Sequence, residues 1–270
     1  MIRHEPGKIY VVAHRGVSGA NIPCNTKAAF SIALSQGADI LELDVTKSKD
    51  GQLFVFHPGM EKAHLNLDCS LSELTSDEID KLRFVNQDNV ITSYKITPLV
   101  EMLEFLKGKA YINIDKYWEN IEEITYAIRR TGVEKQAIVK IPGETKYVDL
   151  VEKIAPDLAL IPMLRSKDRL TEYALEKNVN YIGVEALFET DNDEIVSDNY
   201  IEKMHKRGLM LYGNPIVYSE TANISAGHTD DCALTRDIDK GWGWFVDKKF
   251  DIIQTDWCLM LKNYLKGRGY

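Results

Sequence analysis

A strand–helix rhythm decides which folds this chain can reach. From Leu99 onward, short apolar runs of strand length alternate with stretches of helical periodicity almost to the end of the sequence. Helical patterns fall at 99–106, 118–130, 145–154, 168–177, 194–207 and 258–265; strand patterns fall at 110–115, 136–141, 158–164, 181–185, 209–212 and 251–255. Two more strand patterns precede them, Ile9 to Ala13 and Ala38 to Val45, separated by a helical pattern that begins at Asn25 or Thr26 and stops at Gly37. Eight strands separated mostly by helices, in 270 residues, predict an α/β fold of the (β/α)₈ barrel type rather than an open doubly wound sheet. No G-x-G-x-x-G turn or P-loop accompanies them.

Two stretches interrupt the rhythm. Leu53 to His57 extends the sheet region after the Asp50-Gly51 turn signal, and residues 58–96 then read as a small segment inserted after the second strand. The second excursion, 216–249, separates the last two strands and carries Trp242, Trp244 and Phe245; the two tryptophans read as packing beneath the loop. The expected organisation is one barrel over residues 1–270. Both excursions follow strand ends, the face on which such barrels carry their sites.

Polar residues concentrate at those ends. In Ile40 to Val45, alternation puts Glu42 and Asp44 on one face and Leu41, Leu43 and Val45 on the other. Alone, the run also suits an edge strand with two solvated acids. Inside a barrel, a buried acidic pair needs a cation or a shared proton. His14 and Arg15 end the first strand, His57 follows the extension, and Asn113 and Asp115 share a face of the third. Glu42, Asp44 and Asp115 would form an all-oxygen ligand set for Mg²⁺ or Ca²⁺. His14 and His57 suit proton transfer, and Arg15 offers a fork for phosphate oxygens, with Lys140 as a further positive charge. His4, His64, His205 and His228 read as surface residues.

Composition narrows the ligand. A formal net charge of −8 argues against nucleic acid and requires a cation or placed basic side chains if the substrate carries phosphate. Cys24, Cys69, Cys232 and Cys258 show no C-x-x-C spacing, so neither a zinc site nor a disulfide framework is expected. No apolar run reaches membrane-spanning length, and Met1 to Lys8 is too short and polar to read as a signal peptide.

Taken in order, His14-Arg15-Gly16, Asn25-Thr26, Ala29-Phe30, Gly37-Ala38-Asp39, Glu42-x-Asp44, Asp50-Gly51, His57, Thr97-Pro98-Leu99, Asn113-Ile114-Asp115 and Ile253-Gln254-Thr255-Asp256 resemble the glycerophosphodiester phosphodiesterases. The resemblance implies a metal-dependent barrel that cleaves glycerophosphodiesters to glycerol 3-phosphate and an alcohol through a cyclic phosphate. It also implies metal ligation by Glu42, Asp44 and Asp115, acid/base work by His14 and His57, and phosphate contact by Arg15. The sequence departs from the family's usual pattern at Cys24 and Asp115, where glutamate is common, and at Pro58, where aspartate is common. Tyr117 stands where a lysine is expected, with Lys116 one place early and expected on the opposite face. Two other outcomes stay open on these residues: a phospholipase-like lyase that stops at the cyclic phosphate, and a barrel that binds a phosphodiester without turning it over. Paired acids on one strand cannot flank a sugar, which disfavours a glycosidase.

Overall fold

The computed structural model of the chain describes residues 2–219 and 222–270; Met1, at the start of the chain, and Glu220 and Thr221, in the second excursion, lie outside the described residues. The strands are β1 Tyr10–His14, β2 Ile40–Lys47, β3 Leu53–Val55, β4 Tyr111–Asp115, β5 Ala137–Pro142, β6 Ala159–Arg165, β7 Gly183–Leu187, β8 Met210–Gly213 and β9 Ile252–Thr255. Eight of them pair in parallel in the cycle β1-β2-β4-β5-β6-β7-β8-β9 and close through β9 and β1. This is the expected (β/α)₈ barrel. The extension became β3, an antiparallel partner of β2 in the register Val45 to Val55.

Side-chain alternation explains what fills the barrel. On β2, Leu41, Leu43 and Val45 join the large cluster between sheet and helices, while Ile40 points inward. Tyr10, Val12, Ile40, Ile138, Ala159, Ile161, Ile182, Met210 and Ile252 form the apolar inner cluster. Inward positions nearer the strand ends are polar: His14, Glu42, Asp44, Asn113, Lys140, Glu185 and Gln254 are all buried. The barrel thus has an apolar floor and a charged mouth.

Helices Leu99–Leu106 and Thr145–Ile154 fall where the periodicity predicts. Others are trimmed by local chemistry. The 194–207 pattern splits into a 3₁₀ turn, Glu194–Val196, and the helix Asp198–Lys206, because the Ser197 side chain accepts the Tyr200 N–H and starts a new helix there. The helix expected from 118 begins at Ile121, after a 3₁₀ turn at Tyr117–Glu119.

The inserted segment holds the short helices Glu61–Leu65 and Ser76–Lys81, the second fixed by a capping box between Thr75 and Glu78. It has an apolar cluster of its own: Phe54, Phe56, Leu65, Leu71, Ile79, Phe84 and Ile96. Trp242 is fully buried, as the packing reading expects. Among the described residues, no helix is long and apolar enough to cross a membrane.

Candidate active site

The barrel register brings the acids together. Glu42 lies beside Asn113, and Asp44 beside Asp115, across the β2–β4 pair, while His14 lies beside Glu42 across β1–β2. Carboxylate oxygens of Glu42, Asp44 and Asp115 all lie within 4.8 Å of one another. Oδ1 of Asp44 and Oδ1 of Asp115 are buried without a hydrogen-bond partner, and no nitrogen or sulfur donor belongs to this group. Burial, and then the charge of Asp44, push the Glu42 carboxyl up to about 7, against the opposing pull of His14 and Lys140. Three crowded carboxylates with idle buried oxygens fit a hard divalent cation, so the residues present suit the group the sequence implies.

Three residues reach the mouth through left-handed backbone: Arg15 at φ 56°, Asn25 at φ 58° and Lys116 at φ 59°. Such φ values are costly outside glycine and often mark functional sites. Arg15 donates its backbone N–H to Glu42 Oε2 at 3.0 Å, and its Nε lies 2.9 Å from Asp44 Oδ2. Gly16 follows at φ 81°, and a Cβ there would meet the backbone carbon of Ala29 at 2.7 Å, so only glycine lets this loop lie against the first helix. Of the two cap candidates, Thr26 caps that helix by accepting the Ala29 N–H. Asn25 instead donates from Nδ2 to Asp44 Oδ2 at 2.9 Å.

Lys116 corrects an expectation. Simple alternation sends it to the opposite face, but its left-handed conformation turns the ammonium back to 3.4 Å from Asp115 Oδ2. Tyr117, at the position where a lysine was expected, is buried and shares a 2.7 Å hydrogen bond with Thr125. Lys140 sits at the floor of the mouth, paired with Glu185 at 2.8 Å and 4.9 Å from the centre of the Tyr212 ring. Glu185 also accepts from Asn214 at 2.8 Å, and Tyr212 is linked to Asn113 and Gln254.

The two histidines differ in their surroundings. His14 Nδ1 lies 2.9 Å from Asp256 Oδ1. Burial works against an imidazolium there, but the Asp256 hydrogen bond and the charges of Glu42 and Asp256 outweigh it, and the pKa is raised. His57 has its Nε2 3.9 Å from Asp44 Oδ1 and a buried Nδ1 with no partner. Burial, with the positive charges of Arg15 and Lys116, outweighs the pull of Asp44, and the pKa is lowered.

Some contributors carry little signal in the sequence. Asp256 stands out only as the end of the Ile253-Gln254-Thr255-Asp256 string, with no role attached to it. Asp230 lies in the second excursion, yet it is buried and accepts from Trp242 Nε1 at 2.7 Å, from Thr255 Oγ1 at 2.9 Å and from the Asp256 N–H at 2.9 Å. The four histidines read as surface residues are all partly buried and partnered. His4 and His205 meet Asp251, His64 lies 3.6 Å from Cys24 Sγ, and His228 meets Asp191 and stacks on Trp244 at 4.3 Å. Burial pushes the Cys24 thiol up to about 12, so it does not replace a carboxylate.

Beside the mouth, a cleft of about 600 Å³ runs between residues 18–24 and the inserted segment, lined among others by Cys24, His64, Asn66, Asn86 and Asn89. A larger cleft of about 920 Å³ lies on the outer wall, between the helices Leu99–Leu106 and Ile121–Thr131, and its lining contains none of the mouth residues.

A family model described as a domain of unknown function (DUF4996) matches residues 160–265. The glycerophosphodiester phosphodiesterase of Caldanaerobacter subterraneus subsp. tengcongensis is 34% identical over 161 residues, which cover 57% of this chain and 65% of that protein. The glycerophosphodiester phosphodiesterase of Bacillus subtilis is 26% identical over 233 residues, 77% of this chain and 76% of that protein. A crystal structure of a glycerophosphoryl diester phosphodiesterase from Parabacteroides distasonis superposes with a TM-score of 0.79 at 18% identity, covering 98% of this chain and 89% of that one. That last likeness speaks to the fold.

Proposed function

We propose that the chain belongs to the glycerophosphodiester phosphodiesterase family, as its relatives suggest, and that its barrel mouth hydrolyses glycerophosphodiesters to glycerol 3-phosphate and an alcohol. The observation that carries this reading is the meeting of Glu42, Asp44 and Asp115 within 4.8 Å, in a mouth that also holds two histidines and Arg15. Those three carboxylates would hold a divalent cation, Mg²⁺ or Ca²⁺, which when bound would draw charge off the phosphoryl oxygens.

The residues of the chain do the rest. Arg15, tied to Asp44 through Nε, offers its terminal nitrogens to the phosphate. Lys140 adds positive charge from the base of the mouth, held in place by Glu185, and Lys116 adds it from the rim. His57, whose surroundings favour the neutral ring, takes the proton from the glycerol 2-hydroxyl as that oxygen attacks phosphorus. His14, whose imidazolium Asp256 supports, gives its proton to the departing alcohol. The product of that step is a cyclic phosphate. Water then attacks phosphorus, giving its proton to the now neutral His14, while His57 returns its proton to the glycerol oxygen as the ring opens. The cleft beside Cys24 and His64 has the position and volume to take the alcohol portion.

The test is a panel of glycerophosphodiesters presented to metal-stripped protein with each cation restored in turn. Phosphorus NMR of the product separates complete hydrolysis from arrest at the cyclic ester.

A further inference from the structure

At the floor of the barrel, opposite the mouth, Ile2 joins the inner apolar cluster. Two residues later His4 meets Asp251, which stands just before β9. His4 Nδ1 lies 2.5 Å from Asp251 Oδ1, and His205 Nε2, from the helix Asp198–Lys206, lies 2.9 Å from Asp251 Oδ2. Oδ2 also accepts the Leu211 N–H at 2.8 Å. The two imidazoles lie face to face, 4.2 Å apart and 17° from parallel.

The Asp251 side chain is 4% exposed, and among the described residues its ion-pair partners are these two histidines, with no lysine or arginine. A buried carboxylate without a permanent cation beside it is costly to maintain. Two imidazole nitrogens and one carboxylate oxygen, all within 4.8 Å, are the donor set that borderline divalent ions take in sites with three protein ligands. A cleft of about 290 Å³, lined also by Glu5, Lys8, Lys249 and Tyr270, opens on the cluster and leaves room for water in the remaining positions. The three-acid group at the mouth offers carboxylate oxygens alone, so the two clusters differ in the ions they suit.

We propose that His4, His205 and Asp251 form a second divalent-metal site, for Zn²⁺ or Co²⁺ rather than Mg²⁺ or Ca²⁺, which fastens the amino-terminal segment to the barrel floor. His4 stands outside any helix or strand. Its ring tilts away from the His205 ring when the ion enters, bringing both nitrogens into one coordination sphere.

The experiment strips the full chain of metal and titrates it with Co²⁺, reading the visible absorption of the bound ion and the metal retained after dialysis against Mg²⁺. The wild-type chain retains one equivalent with the intense spectrum of nitrogen-ligated, four-coordinate Co²⁺. Asp44→Asn, at the mouth, keeps that spectrum; His205→Ala loses it and at least about 90% of the retained ion. His4→Ala, altered outside regular structure, gives the same loss and keeps the test open should His205→Ala fail to fold. No retained Co²⁺ in the wild-type chain, or an unchanged spectrum in both histidine variants, overturns the proposal, whatever the mouth does to phosphodiesters.

Discussion

His14 and Asp256 are 242 residues apart in sequence, yet His14 Nδ1 lies 2.9 Å from Asp256 Oδ1. The bond crosses the β1–β9 seam where the barrel closes. A carboxylate at Nδ1 leaves Nε2 for the mouth and stabilises the imidazolium. Asp256 is in turn held by its N–H to the buried Asp230.

The two histidines should therefore set opposite limbs of the pH–rate profile. A base must be deprotonated, so His57 governs the rise on the acid side; an acid must be protonated, so His14 governs the fall on the alkaline side. Asp256→Asn removes the anion that supports the His14 charge. The alkaline limb of kcat/KM should move to lower pH by about one unit while the acid limb stays in place. Profiles of the wild-type chain and the variant check this.

Removing a ligand of the implied cation should weigh more than trimming the rim. Glu42→Ala, and likewise His57→Ala, should lower turnover at least about a hundredfold with the fold intact by circular dichroism. Unchanged hydrolysis in either purified variant contradicts the role given to that residue.

Stability of the metal-free chain should fall as the pH rises from about 4 to about 7. Burial pushes Glu42 and Asp230 each up to about 7, above their values in an unfolded chain, so the folded state binds more protons through that window. Their contribution is complete at acid pH and is lost as each ionises, on the order of a few kcal/mol in all. Urea titrations across that range read the slope. Mg²⁺ or Ca²⁺ should flatten the Glu42 part, and Asp230→Asn the other.

The buried Lys140–Glu185 pair should be the most sensitive ion pair in the fold. Glu185→Gln leaves an ammonium with 3% side-chain exposure without its carboxylate, a kind of change that costs roughly 3–5 kcal/mol. Guanidinium unfolding of the variant measures it. Breaking the exposed Lys62–Asp68 pair should cost less than about 1 kcal/mol.

Much of this architecture was legible in the chain because period-2 alternation states which side of a strand is inside. Glu42, Asp44 and Asp115 could be assigned to one mouth by that rule once eight strands were counted. The rule fails where the backbone leaves the strand. Lys116 reaches Asp115 only because its φ is 59°, and Asn25 meets Asp44 only at φ 58°, conformations that no hydrophobic pattern encodes. Asp230 and Asp251 were hidden for another reason: their partners come from distant segments, brought near by packing around the closed barrel. The order within 58–96 escaped notice because its helices are too short to show a period.

Phosphorus NMR of glycerophosphocholine, with protein stripped of metal and then given Mg²⁺ or Ca²⁺, shows whether the mouth is a metal-dependent diesterase. The stripped protein should show no turnover, and glycerol 3-phosphate should accumulate once a hard cation is restored. Turnover at full rate without any divalent ion, or none for any glycerophosphodiester with every cation tried, would rule out a metal-dependent diesterase at this mouth.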